Sequence, residues 1–284
     1  MKKLLGMLCC ALLLLAALPG ASEAQIRFGF KGYGGLNYLS GGDLNKGAQG
    51  FSKFALGLLD GASPKGEYSP LHLGMNFGGE FLLQFSPSMG VGLGVGYIAA
   101  SRSDEITYTA ASTVEFTWAP KVSAIPITAS FYYFLPSNSP FKVFFNLGAG
   151  YYLAKTDFDY GWCFIFPIHW AAKTTGGGLG FHGGLGFEYA FSPMASLFAE
   201  IKGRFAAFNN FEGSVVWTFP GIPISPDTEE GSLWAFDDDF GSGIGKQTWL
   251  WISESEPAGD NVRKAKVDFS GFSFVIGFIV RFGS

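Results

Sequence analysis

The sequence is short of charge, of cysteine and of long apolar runs. Only 15% of its 284 residues are charged, where a soluble enzyme carries about 25%. So small a share argues against a surface wetted all round. Past the leader, no stretch reaches the roughly 18 consecutive apolar residues that a membrane helix needs. Three cysteines occur. Cys9 and Cys10 sit in the leading apolar run, which leaves Cys163 alone and excludes an intramolecular disulfide framework. Basic residues number 19 against 23 acids. That mild acidity argues against a nucleic-acid partner.

Aromatics and glycine are what the chain has in quantity: 31 Phe, 41 Gly, and 17% aromatics overall. Many aromatics with few charges suggest a surface turned largely toward lipid. Without apolar helices, only a closed barrel satisfies every backbone group there.

Residues 1–24 have the make-up of a signal peptide: Lys2 and Lys3, then an apolar run from Leu4 to Leu18, then Pro19-Gly20. Ser22-Glu23-Ala24 supplies small residues before a cut, so the expected mature chain begins at Gln25. Losing Lys2, Lys3 and Glu23 leaves 17 basic and 22 acidic residues, a net charge of −5.

The expected mature chain, 25–284, shows eight segments in which side chains alternate between two kinds. Alternation with a period of two marks strands whose faces meet different surroundings. The last is the clearest: Phe272, Phe274, Ile276, Phe278, Val280 and Phe282 fall on one face, and Gly271, Ser273, Gly277 and Arg281 on the other. The others lie near 26–38, 73–85, 91–97, 125–133, 143–151, 181–189 and 197–205. Large residues facing lipid and small or polar ones facing a lumen is the outer-membrane pattern. Short connections at 86–88, 136–140 and 192–194 alternate with long ones at about 40–70, 100–121, 155–176 and 209–265, as short periplasmic turns and long external loops require. The expected fold is therefore all-β, an eight-stranded antiparallel up-and-down transmembrane barrel. Its long loops should point outward and its termini into the periplasm.

On these segments, Gln25 to Ser284 resembles the small bacterial outer-membrane barrels grouped as OmpA-like, OmpX-like and OmpW-like. The resemblance rests on strand number, loop asymmetry and the closing segment, not on a catalytic motif. Gly271 to Phe282 looks like the C-terminal signal read by the barrel assembly machinery, although Gly283 and Ser284 follow the terminal Phe. It implies an integral outer-membrane protein whose neighbours are outer-membrane lipid and lipopolysaccharide. Such barrels serve as anchors, adhesins, narrow channels or lipid-modifying enzymes, so fold alone does not settle function.

Several groups are candidates for chemistry. By parity, Glu80, Glu188 and Glu200 share the lumen with Arg27, Lys31, Lys142, Lys202, Arg204 and Arg281. An eight-stranded barrel is just wide enough for side chains to fill, and charges enclosed there must pair or meet water. A structural plug of ion pairs is the plain interpretation; a gated path is the functional one. A barrel lipase would need His beside Ser and an acid. His182 has Ser196 or Ser270 as conceivable partners, while His72 and His169 lie on distant segments. The fourth long loop holds ten acids, among them Asp237, Asp238 and Asp239, together with Trp217, Trp234, Trp249 and Trp251. A solvated acidic face is the plain interpretation, and weak divalent-cation binding the other. Val215 to Phe219 and Thr248 to Ile252 are candidate strand extensions, and the apolar stretch from Trp162 to Phe166 a candidate cover for the barrel mouth. No cofactor or firm metal site is expected. The expected function is a non-enzymatic structural or surface-interaction barrel; the alternatives are a narrow channel for small hydrophobic solutes and, last, a lipid-active enzyme.

Overall fold

In the computed structural model, the described residues are 26–58, 65–66, 68–109, 113–163, 167–241 and 244–282. The expected signal peptide lies outside them.

Eight long strands form the frame: β1 (Arg27–Leu39), β2 (Leu73–Gln84), β3 (Met89–Ser101), β5 (Thr113–Phe134), β6 (Phe141–Cys163), β7 (Pro167–Ala190), β8 (Ala195–Phe205) and β15 (Gly271–Phe282). Each pairs antiparallel with the next, and β15 closes the ring by pairing both β8 and β1. Closure leaves no open edge, which is what lets a sheet stand in lipid. The apolar residue of each alternation points outward: Leu73, Phe81, Leu93, Ile127, Leu147, Leu179, Phe187 and Ile276 are all exposed. The parity read from the sequence is the parity of the wall.

Beyond the end of the barrel opposite the termini, the segments 40–70, 100–121, 155–176 and 209–265 are largely regular structure rather than loop. The first carries a helix, α1 (Asp43–Leu58). The second and third lengthen β5, β6 and β7 to 22, 23 and 24 residues, with β4 (Asp104–Thr109) hairpinned onto β5. The fourth carries β10 (Glu212–Thr218), β11 (Asp227–Asp239), β12 (Lys246–Ser253) and β13 (Asp260–Lys264), and at its base the short strands β9 (Ala207–Phe208) and β14 (Val267–Asp268) pair with each other. β7 makes the branch: its second half pairs β8 inside the barrel, and its first half pairs β10 above it. Gly176-Gly177-Gly178 sits at that switch. A Cβ on Gly177 would lie 1.9 Å from the Tyr152 carbonyl oxygen, and its φ of +149° disfavours any other residue.

The result is a distal dome with its own apolar core. Phe116, Trp118, Phe158, Val215, Leu233, Leu250 and Ile252 are buried in it. Helix α1 supplies Leu44, Ala48, Phe51 and Ala55, spaced 4, 3 and 4 along the chain, which is one face of a helix. It seats on β12 through two glycines: a Cβ on Gly50 would meet the Thr248 carbonyl oxygen at 2.1 Å, and one on Gly47 would meet Leu250 at 2.5 Å. Asp43 fixes its start, accepting hydrogen bonds from Arg263 and the Lys266 amide, both at 2.9 Å. Burial alone would raise the Asp43 pKa, but those bonds outweigh it and hold the carboxyl below its ordinary value.

Candidate functional site: the charged lumen

Inward alternation brings the ionisable residues of four strands into one space. Lys31 on β1 is 0% exposed and reaches across the lumen to Glu200 on β8, Nζ to Oε2 at 2.6 Å. Its register neighbour is Glu80, not Glu200. Tyr132 on β5 links them, accepting from Lys31 at 3.1 Å and donating to Glu80. Glu200 also accepts from Asn146 at 2.8 Å and lies 3.5 Å from Lys202. Around the ammonium stand Phe198, Phe144 and Tyr132, with ring centroids 4.5, 4.9 and 5.0 Å from Nζ. Aromatic faces attract a cation most when water is excluded. The centre of the barrel is thus filled by Lys31 and Lys202, Glu200 and Glu80, and three rings.

Two smaller groups flank it. Toward the termini, Nη1 and Nη2 of Arg281 both donate to Glu188, which also accepts from Ser196 at 2.7 Å. A two-point contact of this kind is the stronger form of a carboxylate pair. Toward the dome, Arg204 donates to the Phe269 carbonyl at 2.8 Å and to Asn37 at 2.7 Å, a polar seal rather than an ion pair. Arg27 and Lys142 are half-buried. They are the first residue of β1 and the second of β6, at the terminal end of the barrel, and Lys142 is in register with Glu188.

His182 does meet a serine, but not one of those expected. Its Nε2 lies 3.0 Å from Ser130 Oγ, both buried in the lumen. The register runs Ser130–Gly148–His182 across three strands. Gly148 lets them meet, since a Cβ there would come within 2.7 Å of the imidazole. Ser196 is held by Glu188, and Ser270 accepts from the Ala206 amide. His72 bonds the Leu39 carbonyl through Nδ1 at 2.8 Å and stacks on Tyr38.

The aspartate run lies in β11, where successive side chains point to opposite faces. Asp237 and Asp239 therefore diverge from Asp238, and no three carboxylates converge. Asp237 accepts from Asn261 at 2.9 Å and Thr248 at 2.8 Å. The Asn261 bond is the main reason its pKa falls below the ordinary value. Among the described residues no cluster of His, Cys, Asp or Glu is arranged to hold a metal. On β15, Phe272, Phe274, Ile276, Phe278 and Phe282 are exposed on the outer face, and Val280 is half-buried there. Of the apolar third connection, 164–166 lies outside the described residues.

A closed antiparallel ring, apolar outside and charged within, defines an integral β-barrel of a bacterial outer membrane. The chain belongs to the outer membrane protein beta-barrel domain family, whose model matches residues 7–219. Among solved structures it is similar to the outer membrane protein OprG from Pseudomonas aeruginosa, at 15% identity and a TM-score of 0.38, over 92% of this chain and 97% of that one. No curated protein matches it.

Proposed function

We propose that the protein is a non-enzymatic outer-membrane barrel with a closed lumen, acting as a structural mount for its distal dome at the cell surface. The observation that carries this reading is the Lys31–Glu200 pair, fully buried at mid-barrel among Tyr132, Phe144 and Phe198. A path for ions or solutes would have to dismantle it. The Ser130–His182 contact lies inside the same packed lumen, where a lipid ester has no approach, which favours a packing role over catalysis. The exposed apolar face of β15 supports recognition by the assembly machinery during insertion.

Two experiments test this reading. Purified protein in planar bilayers should pass no steady current; reproducible single-channel steps would replace the closed barrel with the narrow channel. Cys163 is exposed at the dome end of β6. A membrane-impermeant maleimide should label it in intact cells, and labelling only after lysis would reverse the orientation.

A further inference from the structure

The outer wall changes character abruptly where the barrel meets the dome. Along β6 the outward residues are Phe145, Leu147, Tyr151 and Leu153, then Lys155 and Asp157. The same edge on β5 runs from Ile127 and Ile125 to Ser123 and Lys121, and on β7 from Phe181 and Leu179 to Thr175 and Lys173. Register places Lys121, Asp157 and Lys173 in one row across three strands, and Lys155 in the next row toward the membrane, between Ser123 and Thr175. Adjacent strands are about 4.8 Å apart, so the outer lysines stand roughly 10 Å apart with Asp157 between them and Lys155 one row below. All three are exposed, and among the described residues none has an ion-pair partner within 4.0 Å. The carboxylates nearest in register are Asp157 and, one strand past Thr175, Glu212. Three lysines less the charge of Asp157 leave this patch at +2, on a chain whose net charge is −4.

A groove of about 390 Å³ opens on the wall at one side of this patch. Lys121, Ser123 and Asp157 line its polar end, and Leu73, Met75 and Tyr97 its apolar end. One molecule that satisfies both ends is an amphiphile with an anionic head and a hydrocarbon body. The height of the patch, just past the lipid-facing band, is where headgroups lie, and a cluster of lysines there attracts anionic lipid.

We propose that Lys121, Lys155 and Lys173, with the adjoining groove, form a binding site for the phosphorylated glycolipid of the outer leaflet, lipopolysaccharide. The lysines meet phosphates on the sugar head, and an acyl chain lies along Leu73, Met75 and Tyr97. The inference rests on the dome being external, as proposed above.

The test uses the full-length protein in a non-ionic detergent. Bis-phosphorylated lipid A is the probe, and retained lipid is read by native mass spectrometry and titration. Each lysine near an anionic surface contributes roughly a fivefold change in affinity. K121A/K155A/K173A should therefore weaken lipid A binding more than tenfold, while the triple Arg variant retains it and K53A/K266A leaves it unchanged. Heat-modifiable gel migration should be the same for all. Equal binding by the triple Ala variant, or by dephosphorylated lipid A, would overturn the site. So would equally tight phosphatidylglycerol, which would mark a merely anionic-lipid surface, or lysine-dependent pairing of two protein copies without lipid. Binding is measured in detergent, so a failure of the orientation, read from Cys163 labelling, remains distinguishable from a failure of the site.

Discussion

The barrel and the dome share three continuous strands, β5, β6 and β7, along which the two sides of the sheet exchange character. On β6 the buried face carries Phe144 and Asn146 low in the barrel, and Phe158 and Tyr160 in the dome. Its outer face goes from Leu147 and Leu153 to Lys155, Asp157 and Asp159. The strand does not change its alternation; the solvent outside changes from lipid to water. An apolar exterior leaves the barrel's interior as the place for charges, which must then pair across the lumen. A wet exterior lets the dome bury its aromatics as a soluble domain does. The dome core is apolar, while the barrel interior combines ion pairs and hydrogen bonds with a smaller apolar cluster of Leu82, Phe134, Phe144, Phe198, Val275 and Ile279.

This contrast can be broken most severely at the lumen. Lys31→Ala should leave Glu200 with only the longer pair to Lys202, at 3.5 Å, and cost about 3 kcal/mol, the lower end for breaking a buried pair, read as a lower unfolding midpoint in urea. Lys31→Met with Glu200→Gln should recover much of that loss. A single variant no less stable than the double would mean the lumen is wet and the pair adds little.

The dome should fail differently. Phe51→Ala removes a ring packed between Trp118, Tyr160 and Trp249 and should cost about 3–5 kcal/mol locally. Protease should then cut within 209–265 while the barrel keeps its heat-modifiable migration. Loss of both together would show that the two regions fold as one unit.

Arginine scanning along the outer face of β6 locates the boundary between them. Leu147→Arg, in the lipid band, should cost about 2–4 kcal/mol. Asp157→Arg, in the dome, should change stability by less than about 0.5 kcal/mol. Equal costs in lipid vesicles would sink the assignment of 153–155 as the lipid–water edge.

The smallest effect concerns pH and the seating of α1. The Asp43 pKa is lower folded than unfolded, so its contribution is fully present above the ordinary value of 3.8 and is lost as pH falls below it. Asp43→Asn removes the partly exposed ion pair to Arg263, so it should cost about 1 kcal/mol at neutral pH and remove that part of the acid sensitivity. Protease access to α1 as pH falls from 5 to 3 would measure it; an unchanged acid profile in the variant would show that Asp43 is not the group.

Much of this was legible in the sequence because lipid imposes a rule on every residue of a strand it touches. Alternation in 272–282 or 143–151 reports the outward face directly, and the strand count and ring follow from it. The dome was far less legible. Its strands bury one face in a core made of other loops, so no local period announces the partners; Val215 to Phe219 and Thr248 to Ile252 were legible as strand extensions, and β10 and β12 cover nearly all of them, but not what they pair with. Helix α1 had a signal, the 4-3-4 spacing of Leu44, Ala48, Phe51 and Ala55. Gly47, Gly50 and Gly57 mask it, because glycine is a poor helix former whose value here is close approach, to β12 at Gly47 and Gly50 and to Ile244 at Gly57.

The sequence by itself determined which residues face lipid and which face inward, because strand parity and the surrounding medium leave no other choice. It also determined that inward charges need partners. Only the tertiary structure decided who those partners are. Lys31 bonds Glu200 across the lumen rather than its register neighbour Glu80, and His182 reaches Ser130 over Gly148 rather than Ser196 or Ser270. Those choices depend on how strands far apart in sequence face one another around a closed ring, a distance that no local pattern encodes.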